Sequence, residues 1–364
     1  MPEAQQGTSL QSIPARTSGA YRKALIVRFG GLGDILLSTP TVRAIAQEFP
    51  GIEIDYIVGK GLTPVLSGIP YIRRIIEFDK NGADSSPHAI ASFLSRLASE
   101  GYDLFVNLHP SVKTALFGLA SGARKHVWFV KDRRRNALTG KVPHAIDDFA
   151  KELSHLGIDD IDSHAMDFVV PAADVAQARE ILASTGVAET DKLLVMNPAA
   201  TRYVNRWAPE RFADLCDRYV GIDGVKVVVT GGSGDRKLID EMLGNSQRAR
   251  DVIDLGGKLS IKQLGAVLAR ADAFVTADTG PMHIAAALDA PLICLSGAAD
   301  PDRTGPLSPK STVLIDRSLP CVSCQNKTCQ FGMDIKCMTG ISVDAVASAI
   351  DDKFRVSLRM NQSM

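Results

Sequence analysis

From Lys23 onward the chain alternates short apolar runs with stretches of helical period. KALIVRF (23–29), IDYIV (54–58), IIEF (75–78), DLFVNL (103–108) and HVWFV (126–130) read as buried strands, too short for helices and rich in β-branched and aromatic residues. After the first of these, the stretch from Asp34 to Phe49 sets Ile35, Ser38, Val42, Ile45 and Phe49 on one helical face, with Pro40 inside it as a kink or restart. That face is predicted to pack on the sheet. The pattern pauses around Pro171. It resumes with LLVM (193–196), VKVVV (225–229), AFVT (273–276) and PLICL (291–295), separated by helices near 208–220, 260–271 and 281–289, and closes with a helix from Ser342 to about Arg359. Strands that alternate with helices imply parallel sheets with right-handed crossovers. The second half repeats the first in kind, and no shorter repeat occurs, so the expectation is one doubling of an α/β unit. The divisions are a flexible tail at 1–20, a first Rossmann-like domain at 21–171, a second at 172–341, and a closing helix and tail at 342–364.

Length agrees with this division, since 364 residues exceed one ordinary core and fit two. Lys and Arg number 41 and Asp and Glu number 41, a zero balance that excludes a general nucleic-acid binder. The longest apolar segment, 281–299, contains His283, Asp289 and Pro291, so no membrane-spanning helix is expected. The first twenty residues lack the basic start and apolar stretch of a secretory signal, and a cytoplasmic protein is expected. Four of the six cysteines, Cys321, Cys324, Cys329 and Cys337, form C-x2-C-x4-C-x7-C. In a reducing compartment such a cluster favours free thiols or a structural zinc or iron site over disulfides.

Two doubly wound sheets in tandem leave a cleft at the carboxyl ends of their strands, where ligands of open α/β folds bind. The first strand runs into Gly30-Gly31-Leu32-Gly33-Asp34, a glycine turn opening a helix. Asp34 reads either as a cap of that helix or as a general base in the cleft. The turn lacks the dinucleotide fingerprint and ends in an acid, which disfavours a dehydrogenase. In the second half, Ala277-Asp278-Thr279-Gly280-Pro281-Met282-His283 follows the strand AFVT. Its unpartnered helix-start amides attract anions, Asp278 can accept from sugar hydroxyls, and His283 can donate to a phosphate. A capped core helix with His283 packed on it is the alternative. Arg124, Lys125, Lys131, Arg133, Arg134 and Arg135 form a basic run suited to a phosphorylated glycolipid at an anionic membrane face, or simply a solvated loop.

Gly33-Asp34, the stretch Trp207-Ala208-Pro209-Glu210-Arg211-Phe212, and Asp278-Thr279-Gly280 with His283 occur in an order and separation that resemble glycosyltransferase family nine, the heptosyltransferases, over about residues 23–350. The resemblance implies GT-B architecture, two Rossmann-like domains facing a central cleft, and inverting transfer of a heptose, usually from ADP-heptose, to a lipopolysaccharide core precursor. It implies Asp34 as base with Gly33 beside it on the acceptor side. Thr201, Lys258, Leu259, Asp278, Thr279, Gly280 and His283 would bind the donor. Arg124, Lys131 and Arg133 would meet a phosphorylated glycolipid acceptor, with peripheral contact at the cytoplasmic face of the inner membrane. The lipopolysaccharide enzymes carry a lysine shortly before the tryptophan where this chain has Asn205. Arg202 or Arg206 supplies the positive charge, and a guanidinium fork binds phosphate at least as well as an ammonium. No cofactor is expected for catalysis. A GT-B transferase with another nucleotide sugar or acceptor, a nucleotide-sugar epimerase of the same fold, and a non-catalytic sugar-nucleotide-binding protein are the competing readings.

Overall fold

The computed structural model describes residues 20–130 and 142–361. Two all-parallel sheets account for its strands. The first comprises β1 (Lys23–Val27), β2 (Glu53–Gly59), β3 (Arg74–Phe78), β4 (Leu104–Asn107) and β5 (Lys125–Trp128), in the spatial order β3-β2-β1-β4-β5. The second comprises β6 (Lys192–Asn197), β7 (Val225–Val229), β8 (Ile253–Asp254), β9 (Ala273–Ala277), β10 (Leu292–Ser296) and β11 (Ser311–Ile315), in the order β11-β10-β9-β6-β7-β8. In both sheets the first strand of the half sits centrally and the order reverses beside it, which puts a crevice at the carboxyl ends of β1 and β6.

The central strands are buried on both faces, as parallel strands covered by helices must be. The predicted helix after β1 is two helices, Leu32–Leu36 and Thr39–Glu48, broken at Leu37 and Ser38 with Pro40 in the first turn of the second. Ile35, Ser38, Val42, Ile45 and Phe49 are all buried, and the Ser38 hydroxyl lies 2.6 Å from that of Tyr56 on β2. β8 and β11 escape prediction because one is two residues long and the other is a half-buried edge strand whose apolar run, Val313 to Ile315, is only three residues.

The closing helix, Val343–Asn361, packs on β9, β10 and β11 and on the helix Pro209–Tyr219, so it belongs with the second sheet. Trp207 is wholly buried there and donates its indole N–H to the carbonyl of Ile341 at 3.0 Å. The tryptophan motif thus anchors the end of the chain and does not line the cleft. Between the halves, Lys262 is buried and donates to the carbonyls of Ser67 at 2.9 Å and Val169 at 2.5 Å. Burial pushes its ammonium down to about 8. Among the described residues no helix is long and apolar enough to cross a membrane.

Candidate active site

The two glycine motifs, 245 positions apart at Gly33 and Asp278, meet across the crevice. Helix Leu32–Leu36 of the first half abuts helix Gly280–Ala287 of the second. A side chain on Gly33 would come within 2.3 Å of His283 Cδ2, and one on Gly280 within 3.1 Å of Leu32 Cβ. Gly30 has φ +141°, and a Cβ there would lie 2.4 Å from an Asp34 carboxylate oxygen, so this bend is also reserved for glycine. Around the contact lies a cleft of about 680 Å³ that draws Arg28, Asp34, Phe149 and Asp148 from the first half and Thr201, Arg202, Asn205, Asp278, Thr279, His283 and Arg303 from the second.

Asp34 closes the helix start and also opens on the cleft. One oxygen accepts from the Gly31 amide at 3.0 Å, closing the helix start, and the other accepts from Arg28 at 2.7 Å. A carboxylate has about four lone-pair sites, so these two bonds leave acceptor capacity on a side chain that is 46% exposed to the cleft. Arg28 also donates to the carbonyl of Leu108 at 2.6 Å, lies over the Phe149 ring at 4.9 Å, and keeps its buried Nε unpartnered. It was missed in the sequence, although a charged residue directly after an apolar strand, at the end that faces the crevice, is a usable signal.

Asp278 sits opposite, with Thr304 donating to it at 3.1 Å and His283 Nε2 4.0 Å away. Burial pushes its carboxyl up to about 6, against the opposing pull of the Thr304 hydroxyl and the charge of Arg202. Burial holds His283 down at about 4, so at neutral pH it is a neutral ring offering one N–H and not a cation. Its Nδ1 is buried without a partner, as is the Asn205 side-chain oxygen nearby in the same cleft. Unpaired polar atoms at one concave site leave hydrogen-bonding capacity for a ligand.

The raised carboxyl has a thermodynamic consequence. The stability this group contributes is full below its ordinary value of 3.8 and is lost as pH rises through about 6, because above that the buried group must ionise. Asp278→Asn is therefore expected to stabilise the protein at neutral pH by up to ~2–3 kcal/mol. The gain, read as a melting-temperature difference, should narrow as pH falls through about 6.

A second cavity of about 290 Å³ continues from the cleft past Thr201 and Thr279–Pro281, and is lined by Arg206, Gly231, Leu259, Ser260 and Leu264. Arg206 donates to the carbonyl of Ala200 at 3.0 Å. The structure therefore gathers Thr201, Arg202, Arg206, Leu259, Asp278, Thr279, Gly280 and His283 around one continuous space.

Other expected residues are placed differently. Lys258, the chain neighbour of Leu259, donates to the carbonyl of Asp254 at 2.7 Å and borders a separate groove of about 1000 Å³ along β7 and β8. Gly33 lines the cleft and packs against His283, so what the structure shows of it is a close approach of the two halves. Arg124 precedes β5 at the amino ends of the strands, where it bonds the carbonyl of Ala20 and pairs with Asp103 at 3.9 Å, on the wrong side of the sheet for a cleft ligand. Lys131 and Arg133 lie outside the described residues.

Arg303 reaches Asp148 across the cleft at 3.1 Å, and His144 Nε2 lies 3.1 Å from the carbonyl of Gly305. Nothing in the sequence singles out this latch, because its two sides are the short helices Ala145–Ala150 and Pro301–Thr304, which carry no motif.

Cys321, Cys324, Cys329 and Cys337 line one small cavity of about 40 Å³ beside Val204 and Ala298. Among the described residues no three His, Cys, Asp or Glu side chains stand placed to hold a metal ion. Burial, reinforced by the three neighbouring thiols, pushes Cys337 up. The turn carrying the cluster docks through amides of Ser323 and Gln325, which donate to the carbonyls of Gly297 at 2.8 Å and Ala298 at 2.7 Å. Both residues have positive φ, at 61° and 57°.

The family profile of glycosyltransferase family 9 (heptosyltransferase) matches residues 90–334. A lipopolysaccharide heptosyltransferase 3 of Escherichia coli is 29% identical over 282 residues, covering 74% of this chain and 81% of its own length. The solved family 9 glycosyltransferase of Veillonella parvula superposes with a TM-score of 0.76 at 25% identity, covering 92% of this chain and 97% of the other. The E. coli ADP-heptose lipopolysaccharide heptosyltransferase II superposes at 0.73 with 20% identity, covering 92% and 99%. With the opposed glycine turns and their carboxylates in place on a two-sheet GT-B frame, the chain belongs to glycosyltransferase family 9, the heptosyltransferase family.

Proposed function

We propose that the protein is an inverting heptosyltransferase that moves a heptose from ADP-heptose to a hydroxyl of a lipopolysaccharide core precursor. The observation that carries this reading is the cleft itself, where the Asp34 carboxylate of one half faces the anion-attracting turn Thr279–Gly280 and the exposed Arg202 of the other. The names of the relatives agree with it.

In this reading the adenosine lies in the cavity of Leu259 and Ser260, and the diphosphate lies at the helix start with Thr201 and Arg202. The acceptor oxygen attacks the anomeric carbon from the face opposite the diphosphate. Its proton passes to Asp34 as the new C–O bond forms, and the electron pair of the breaking C–O bond leaves with ADP. Helix-start amides and guanidinium groups stabilise the leaving charge, and the reaction is proposed to need no cofactor. Work on a lipid-linked acceptor would place the protein peripherally at the cytoplasmic face of the inner membrane.

The test is calorimetry with ADP-, UDP- and GDP-sugars and the free diphosphates, followed by turnover with and without acceptor. Preferential binding of ADP-sugars and acceptor-dependent release of ADP are expected. Conversion of a nucleotide sugar without acceptor would replace this reading with an epimerase. In the same assay Asp278→Asn is expected to weaken donor binding about tenfold to a hundredfold, as loss of one charged hydrogen bond does.

For the cysteines we propose a structural zinc or iron site, supported by four thiols around one cavity on a docked turn. Replacing Cys321 and Cys324 with serine is expected to lower metal content and melting temperature together, with activity falling only as far as folding does. A native protein free of zinc and iron by elemental analysis, with all four thiols alkylated readily, would remove the metal role.

A further inference from the structure

Helices Pro87–Ala98 and Val112–Ser121 lie side by side on one face of the first sheet. Beneath them Phe78, Phe93, Phe105 and Phe117 form a buried aromatic cluster that continues to Phe29. On the outer side, Val112, Leu116 and Leu119 stand at helical positions i, i+4 and i+7, and so form one row. They are 84%, 42% and 75% exposed, and Val130 just beyond β5 is 64% exposed. Of the other exposed large apolar residues among the described ones, Ile222, Leu307 and Val356 stand singly, and Phe331 and Met333 form a pair on the cysteine-bearing turn. Single exposed apolar residues need no explanation, but a row on one helix does.

The segments that carry this row and its neighbouring helix hold charge of one sign. Residues 87–98 and 112–130 contain no Asp or Glu, in a chain where acids and bases balance at 41 each. They do contain Arg96, Lys113 and Lys125, together with Arg124, which pairs with Asp103 at 3.9 Å. The two acids between the helices are already engaged. Glu100 pairs with Lys23 at 2.5 Å and Arg74 at 2.6 Å, and Asp103 accepts from the amides of Arg22 at 2.8 Å and Lys23 at 3.3 Å. An apolar row in a field of basic groups suits a surface that is apolar within and anionic at its rim. A second copy of the chain suits it poorly, because two-fold pairing would press one cationic face against another.

The row also begins at the right place. Helix Val112–Ser121 follows β4, and the loop joining them carries Leu108, whose carbonyl holds Arg28, the partner of Asp34. Val112 therefore stands at the end of the helix nearest the cleft, on the side of the half that carries Asp34.

We infer that this helix face is the surface by which the protein seats itself on an anionic lipid bilayer, with Val112, Leu116 and Leu119 entering the headgroup layer. The inference rests on the proposed lipid-linked acceptor, for it sets the mouth of the cleft beside the membrane.

The experiment is flotation of the full chain with phosphatidylglycerol-containing vesicles and with pure phosphatidylcholine vesicles, at low and high salt. The parent is compared with Leu116→Glu/Leu119→Glu and the milder Leu116→Ser/Leu119→Ser. The parent should bind the anionic vesicles and release at high salt, and both variants should bind at least about tenfold more weakly. Melting temperature, monomer mass and donor affinity should not change. Vesicle binding equal in parent and variants, no binding by the parent, or a dimer that the variants dissociate would each overturn the proposal. Because donor affinity is read on the same samples, a wrong donor assignment shows itself separately from a wrong surface.

Discussion

Asp34→Asn is expected to lower turnover by ~10²–10⁴-fold, the usual contribution of a positioned general base, while donor affinity stays nearly unchanged. An amide cannot take the acceptor proton. It also cannot reproduce both local bonds of the carboxylate, because its single oxygen accepts either from Arg28 or from the Gly31 amide. The oxygen should turn to Arg28, since two donors would otherwise face each other, and the helix start then loses its cap. A stability loss of about 1 kcal/mol should therefore accompany the kinetic defect. The two effects separate cleanly in a calorimetric donor titration, a melting curve and an ADP-release assay run on one preparation. Turnover within about threefold of the parent would remove Asp34 from the role of base.

Gly33→Ala should have a comparable effect on activity by a different route. The added methyl would lie 2.3 Å from His283 Cδ2 and 2.7 Å from Nε2, and His283 is itself buried and cannot swing away. Relief requires helix Leu32–Leu36 to part from helix Gly280–Ala287, an overpacking strain of about 1–3 kcal/mol. Parting these helices also moves Asp34 away from the anion-attracting turn, and a misplacement of about 1 Å can cost roughly 10²-fold in rate. If the clash with His283 is the cause, adding His283→Ala should restore much of the melting temperature without restoring turnover, a coupling that a double-mutant cycle measures. Normal stability and turnover in Gly33→Ala alone would show the contact to be looser than the geometry requires.

The sequence announced the elements that are long, apolar and continuous. β1, β6, β7, β9 and β10 fall within a residue or two of their predicted bounds, because central parallel strands must be apolar on both faces. The break at Leu37 and Ser38 was visible through Pro40. Helices Pro87–Ala98 and Val112–Ser121 were not assigned, since their stretches mix small, polar and apolar residues. In the cleft, the motif-borne residues Asp34, Asp278, Thr279 and His283 were legible because a glycine turn after a strand has a fixed place in this fold class. Arg28, Asp148 and Arg303 were not, because their meaning lies in partners up to 155 positions away, as between Asp148 and Arg303. Arg124 failed for the opposite reason. A run of basic residues in sequence carries no information about which end of a sheet it occupies, and here it begins at the end away from the cleft.

The path of the chain has its own consequence. Among the described residues, those through Val170 build on or beside the first sheet, those from Lys192 build on the second, and the closing helix returns to the second sheet and not to the first. Among the described residues the backbone therefore passes between the halves once, near Pro171, and the packing that holds them in register includes four side-chain contacts: Gly33 on His283, Leu32 on Gly280, Lys262 on Ser67, Arg303 on Asp148. Such a molecule is divisible by recombination. A hybrid joined at residue 171 that keeps these four contacts should retain the sugar-nucleotide preference of whichever parent supplied its second half, while its acceptor preference follows the first.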